Sequence, residues 1–258
     1  MPGSALEQIR QAAKLALFLD YDGTLADFAR TPDDVEPDPQ LISLLGALRD
    51  AVHIRIAVIS GRRLSHIRAL VPVPGMLLAG TYGVELQNPQ GKRIDRVEFA
   101  RIRPTLDTVK PQWRALIQPH RGFYLEDKAW SLALHAKNAD EVQAESVLKR
   151  AEAIIVRDAH PKEIFRTLGG HKFLELAPRA ANKGKTISYL LDNEGRDDLL
   201  PVYFGDDDKD EEAFGVILQH GGICVKVGAQ PGETLAQARL SSPAAVRDFL
   251  KSLLPMGS

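Results

Sequence analysis

Short apolar runs alternate with amphipathic stretches over the first third of the chain. Leu15-Ala16-Leu17-Phe18-Leu19 and Ile54-Arg55-Ile56-Ala57-Val58-Ile59 predict buried strands, each bounded by turn residues. Between them Leu41, Leu44, Leu45 and Leu48 fall at helical spacing, and Pro39 sits where a helix can begin. Met76-Leu77-Leu78-Ala79 predicts a third strand after a Pro-rich turn. Strand, helix and strand in alternation favour a parallel sheet with right-handed crossovers. The last third resumes the pattern: a helix from about Lys183, a strand at Val202-Tyr203-Phe204, a helix through Phe214 and Leu218, then a strand at Ile223-Cys224-Val225.

The middle of the chain is patterned differently. Phe123 to Glu126 and Ser131 to Ala136 predict neighbouring strands around a short turn. A helical pattern follows (Val142, Val147, Leu148, Ala151, Ile154, Ile155), then strands near Ile164-Phe165 and Phe173-Leu174-Glu175-Leu176. Paired strands with segregated helices predict an α+β unit inserted into an α/β core. The expected division is a Rossmann-like parallel-sheet core from 1–99 and 181–258, with the insert at 100–180. No internal repeat or low-complexity run interrupts this plan.

Composition narrows the function classes. The 258 residues carry 33 Lys+Arg against 34 Asp+Glu, a formal net charge of -1, which argues against a broad surface for nucleic acid or anionic lipid. No segment approaches the roughly 18 consecutive apolar residues of a membrane span. The run Leu15 to Leu19 ends in Asp20 rather than a small-residue cleavage site, unlike a signal peptide. The single cysteine, Cys224, cannot form an intrachain disulfide and lies in an apolar run, where it reads as a buried small hydrophobe. The expectation is a cytoplasmic chain.

The candidate chemistry is carried by carboxylates. Asp20 and Asp22 end the first strand in Leu19-Asp20-Tyr21-Asp22-Gly23-Thr24, and side chains two apart on an extended chain point the same way. Gly23 permits a sharp exit at the C-terminal edge of the sheet, where open α/β sheets bind ligands. A second acidic group follows another apolar strand: Asp206 to Glu212 holds six acids and one Lys, a local charge of -5. Glu211 and Glu212 need no more than a favourable helix start, but Asp206 sits at the same kind of strand-to-helix switch as Asp20. Carboxylates converging there repel unless a hard cation joins them, and an all-oxygen set suits Mg²⁺. An EF-hand fails, because Glu211 stands at the turn position and Ile217 at the bidentate one. Ser60-Gly61-Arg62 offers a hydroxyl, a flexible amide and a guanidinium for phosphate oxygens, although taken by itself a Ser-Gly turn opening a helix is the simpler explanation. Lys183-Gly184-Lys185-Thr186 is no phosphate-cradling Gly-rich loop, since Arg179 stands where that motif needs Gly. No Cys/His metal spacing is present.

In this order, Asp20-Tyr21-Asp22-Gly23-Thr24, Ser60, Lys183 and Gly205-Asp206-Asp207 with Asp210 resemble the motifs of the haloacid dehalogenase-like (HAD) phosphatases. Val58-Ile59-Ser60-Gly61-Arg62, Ala79 to Glu85, Leu125-Glu126-Asp127-Lys128 running to His135, Leu174 to Pro178 and Asp206 to Phe214 resemble the trehalose-6-phosphate phosphatase family within them, from about residue 15 to 250. The sequence departs at Tyr82, where members often carry His, at His135-Ala136-Lys137 in place of His, aromatic, Arg, and at Lys209 in place of a common Thr. The resemblance implies a HAD core with an inserted cap domain and a sugar-phosphate substrate. It implies Asp20 as nucleophile and Asp22 as general acid and base, with Ser60 and Lys183 on the phosphoryl oxygens. It places Mg²⁺ on Asp20, the Asp22 backbone carbonyl and Asp206, with Asp207 and Asp210 behind them. Arg62, Glu126, Lys128 and Glu175 are the implied substrate contacts, and cap closure would exclude water.

Rival readings keep the same residues. They are a phosphatase for sucrose phosphate, glucosylglycerate phosphate or a hexose phosphate, a phosphomutase, and a non-hydrolytic sugar-phosphate sensor. A phosphoaspartate receiver fits less well, because its acidic pair precedes the phosphorylated Asp by a strand and it lacks an insert of this size.

Overall fold

The computed structural model describes residues 3–28, 35–158, 163–193, 198–230 and 232–255. The chain divides into two compact units, one made of Met1–Ile94 with Asn182–Ser258 and the other of Asp95–Ala181.

The first unit is a doubly wound α/β core. Its helices are α1 (Ala5–Gln11), α2 (Pro39–Asp50), α3 (Leu64–Leu70), α6 (Lys183–Asn193), α7 (Glu211–Gln219) and α8 (Pro243–Lys251). Its strands are β1 (Leu15–Asp20), β2 (Ile54–Ile59), β3 (Leu77–Gly80), β4 (Glu85–Gln87), β5 (Arg93–Asp95), β10 (Leu200–Gly205), β11 (Ile223–Val227) and β12 (Ala238–Leu240). They form one sheet in the order β12-β11-β10-β1-β2-β3-β4-β5. The ladders from β12 to β3 are parallel, and β4 turns back antiparallel to β3. Every residue of β1 is buried, because helices cover both faces of the sheet. Leu15, Leu17 and Leu19 pack with Leu41 and Leu45 of α2 and Phe249 of α8, while Ala16 and Phe18 pack with Ile187 of α6 and Phe214 and Ile217 of α7. Pro39 lies inside the first turn of α2, and the Asp38 carboxylate caps it by accepting from the amides of Gln40 and Leu41 at 2.8 and 3.3 Å.

Strand register aligns the chemistry. Asp20 pairs with Ile59, so Ser60 leaves β2 one residue past the end of β1, and Leu19 pairs with Phe204, two residues before Asp206. All three residues therefore reach the C-terminal edge of neighbouring parallel strands.

The second unit has an antiparallel sheet in the order β6 (Tyr124–Asp127), β7 (Leu132–His135), β9 (Phe173–Pro178), β8 (Phe165–Gly170). Two helices, α4 (Phe99–Ile117) and α5 (Glu141–Asp158), pack together, with the buried Trp113 indole donating to the Ala151 carbonyl at 3.1 Å. Register puts Leu132, Leu134, Leu174 and Leu176 on one sheet face and Tyr124, Glu126, His135, Phe173 and Glu175 on the other. Sequence patterning anticipated α5 but gave no element over 99–117, where α4 runs through Pro104 and Pro111. Its buried stripe of Ile102, Leu106, Val109, Trp113 and Leu116 outweighs two missing backbone donors. No helix among the described residues is long and apolar enough to cross a membrane.

Candidate active site

Asp20 is the last residue of β1 and is almost fully buried. The chain then turns sharply: the amides of Leu25 and Ala26 both donate to the Tyr21 carbonyl, and that of Gly23 donates to the Ala26 carbonyl at 2.7 Å. Gly23 has φ 81°, and a Cβ there would lie 2.3 Å from an Asp206 carboxylate oxygen. Only glycine suits both the left-handed backbone and that approach.

Lys183 opens α6 directly opposite. The Asn182 side chain starts that helix by accepting the Lys185 amide at 2.7 Å. The buried Lys183 ammonium donates to Asp20 Oδ1 at 2.8 Å and to Asp210 Oδ1 at 2.6 Å. Asp210 is fully buried and saturated, its Oδ1 also accepting from the Tyr203 hydroxyl at 2.8 Å and its Oδ2 from the amides of Asp206 and Asp207 at 2.9 and 3.0 Å. Asp207 stabilises the same loop, accepting from the amides of Lys209 and Asp210 and from the Lys209 ammonium at 3.0 Å.

Asp20, Asp206 and Asp210 each offer a carboxylate oxygen within 4.8 Å of the other two. Burial pushes the Asp20 carboxyl up, against the opposing pull of Lys183. Burial, with the Asp210 and Asp207 carboxylates beside it, pushes Asp206 up to about 7. Burial acts the same way on Asp207, but there the Lys183 and Lys209 charges win and hold the group below the ordinary carboxylate range. Burial works against the Lys183 charge, yet Asp20 and Asp210 outweigh it and keep the ammonium protonated. Four carboxyl groups outnumber the two lysines that touch them, Lys183 and Lys209, and this deficit of positive charge adds to the burial that pushes Asp20 and Asp206 up. An all-oxygen donor set with that deficit fits a hard divalent cation.

The Asp22 carboxylate does not join this group. Arg62 grips it with two hydrogen bonds, Nε to Oδ2 and Nη2 to Oδ1, both 2.7 Å. Ser60 is fully buried, and its hydroxyl oxygen accepts the Arg62 amide at 3.1 Å, so the Ser-Gly turn is real alongside whatever else the hydroxyl does. Beside Asp206 a cleft of about 380 Å³ opens among Gly23, Phe28, Lys226 and Arg239.

The remaining sequence candidates lie on the second unit. The Lys128 ammonium donates to both oxygens of the fully buried Glu175 at 3.3 and 3.2 Å, and the Ser131 hydroxyl donates to the same carboxylate at 2.5 Å. Glu126 meets His135 Nε2 at 3.1 Å. Sequence reasoning had singled out neither Tyr203, whose hydroxyl serves Asp210, nor Ser131. Two patterns carry a usable signal: a Tyr hydroxyl inside an otherwise apolar buried strand, and a Ser at the entry to β7.

Comparison with known proteins shows which family the chain resembles over most of its length. A family model described as trehalose-phosphatase matches residues 18–244. A trehalose-phosphate phosphatase of Mycobacterium tuberculosis is 34% identical over 248 residues, which cover 94% of this chain and 62% of that protein. The chain thus spans less than two thirds of the length of its mycobacterial relatives. A trehalose 6-phosphate phosphatase of Zea mays is 30% identical over 267 residues, covering 96% of this chain and 72% of that one. The C-terminal domain of a Candida albicans trehalose-6-phosphate phosphatase shares the fold at 20% identity and TM-score 0.84, over 97% of this chain and 95% of that one. With the matched region running from β1 into α8 and enclosing every carboxylate of the buried cluster, the chain belongs to the trehalose-phosphatase family.

Proposed function

We propose that this chain hydrolyses trehalose 6-phosphate to trehalose and inorganic phosphate. The observation that carries the reading is the buried Asp20 carboxylate, fixed at 2.8 Å by Lys183 at the C-terminal edge of the sheet, in a chain of this family. Asp20 attacks phosphorus as the bond to the sugar oxygen breaks, giving an aspartyl-phosphate, and Asp22 delivers a proton to the departing oxygen. Asp22 then takes a proton from the water that attacks the aspartyl-phosphate, releasing phosphate and restoring the Asp20 carboxylate. Arg62 presents Asp22 to that exchange, and an incoming phosphate competes for the same guanidinium and frees a carboxylate oxygen for proton transfer. Lys183 and the Ser60 hydroxyl hold the transferring oxygens. Asp20, Asp206 and the Asp22 backbone carbonyl would hold Mg²⁺, which neutralises charge on the phosphoryl group when bound. Asp210 keeps Lys183 in place. On the second unit, Glu126 and Lys128, the latter held by Glu175, are assigned to sugar hydroxyls.

Phosphate release in Mg²⁺ over a panel of trehalose 6-phosphate, sucrose 6-phosphate, a glucosylglycerate phosphate and glucose 6-phosphate tests the substrate. Trehalose 6-phosphate is expected to give the highest kcat/KM. Preference for another member transfers the reading to that sugar, and binding without release sinks hydrolysis altogether.

A further inference from the structure

Between β3 and β4 the backbone does something costly. Thr81, Tyr82 and Gly83 follow one another with φ of 48°, 54° and 91°, and the first is β-branched. Left-handed conformations at two consecutive non-glycine residues persist only where the surroundings over-determine them. Here the surroundings are the two elements that carry the phosphate-contacting groups. The Thr81 amide donates to the Arg62 carbonyl at 2.6 Å and the Tyr82 amide to the Ser60 carbonyl at 2.8 Å, so the turn sits on the Ser60–Arg62 segment. On its other side the Thr186 hydroxyl, one helical turn beyond Lys183 on α6, shares its proton between the Tyr82 carbonyl at 2.8 Å and the Asn182 carbonyl of its own helix at 3.0 Å.

Both contacts are as close as atoms allow. A Cβ on Gly61 would lie 2.7 Å from Tyr82 Cζ, and one on Gly83 would lie 1.9 Å from Thr186 Oγ1. The buried Glu85 closes the assembly from behind, its Oε2 accepting the Thr81 hydroxyl and the Leu64 amide, both at 3.1 Å. Neither Glu85 nor Thr186 reaches the carboxylate cluster, and the mechanism uses neither.

We propose that the Thr81–Gly83 turn is a rigid spacer that sets the separation of the Ser60 hydroxyl from the Lys183 ammonium, with Thr186 and Glu85 as its positioning residues. The inference rests on the phosphatase reading of the site. Its strain is maintained because a relaxed loop would let the two phosphate-holding groups drift independently. Such drift of a fraction of an ångström leaves ground-state binding largely intact, since Asp20 and Asp210 still hold the Lys183 ammonium in the site, but it spoils the alignment of the Ser60 hydroxyl with that ammonium in the transition state.

The test compares wild type, T186V and T186S by steady-state kinetics with para-nitrophenyl phosphate in Mg²⁺, alongside thermal melting. This probe has no sugar, so the result is independent of which sugar the enzyme prefers. T186V is expected to lose about 10- to 100-fold in kcat, with KM changed less than about twofold. T186S, which keeps the hydroxyl, is expected to stay within about twofold of wild type in kcat. A lowered melting temperature with unchanged kcat in T186V, or a raised KM alone, overturns the proposal. If T186V does not fold, E85Q, which weakens the clamp on Thr81, is read by the same criteria. Wild-type turnover of the aryl phosphate without turnover of trehalose 6-phosphate refutes the sugar assignment and leaves this comparison decisive. No turnover of either substrate refutes the phosphatase reading and the spacer with it.

Discussion

Arg62 and Asp22 hold each other through two short, parallel hydrogen bonds. A guanidinium fork matches a carboxylate in a way that an ammonium cannot, so charge alone does not reproduce the contact. R62K is therefore expected to lower kcat by about tenfold or more, as a misplaced acid does, with circular dichroism unchanged. Full activity in R62K would remove Arg62 from the mechanism. Cys224 makes the opposite kind of prediction. Its thiol is completely buried, and burial, reinforced by the Glu211 charge, pushes it up to about 12. The thiolate is the reactive form, so a maleimide at pH 8 is expected to label the native chain only at the rate of unfolding. Rapid labelling without denaturant would contradict that burial. Cys224 was legible from its apolar neighbours alone. The Asp22–Arg62 pair was not, because partners 40 residues apart meet only through the β1–β2 register.

At the scale of elements, α4 is fastened to β6 by a charge cluster. Arg103 donates two hydrogen bonds to Asp127, both 2.8 Å, and Lys110 donates a third at 2.7 Å. The Arg103 hydrogen bonds hold the Asp127 carboxyl well below its ordinary range, against a smaller opposing effect of burial and with Lys110 assisting. A carboxyl depressed by folding stabilises the protein above its unfolded value, near about 4, and that stabilisation fades as pH falls from there through the folded value. D127N is thus expected to cost about 1 kcal/mol at pH 7, a figure that allows for screening at this partly exposed site. The difference in melting temperature from wild type should narrow below about pH 4. A gap that persists undiminished in acid would point to packing rather than charge. This cluster exists because of a helix that sequence patterning did not supply: the stripe from Ile102 to Leu116 keeps helical spacing, but Pro104 and Pro111 argue locally against a helix. The strands of the core were the easier case, since a parallel sheet covered on both faces leaves long apolar runs. β1, β2 and β10 accordingly lie where those runs stand. The left-handed turn at Thr81 and Tyr82 is marked in the sequence only by its flanking Gly80 and Gly83, because positive φ at two non-glycine residues is imposed by tertiary contacts.

For the whole molecule, a net charge of -1 describes neither half of the chemistry. The acidic stretch Asp206 to Glu212 and Asp20 concentrate negative charge at one sheet edge, where Lys183, Lys209 and Lys226 only partly offset it. That imbalance, built at the ends of β1 and β10, fits a hard divalent cation, which the proposed phosphatase reading requires. The most direct test measures inorganic phosphate released from trehalose 6-phosphate in Mg²⁺ by wild type and by D20N, with both proteins shown to be folded by circular dichroism. The account predicts sustained multiple turnover by wild type and a loss of about a thousandfold or more in D20N, as expected when a covalent nucleophile is removed. Comparable phosphate release from the two proteins, or none from wild type, would contradict it.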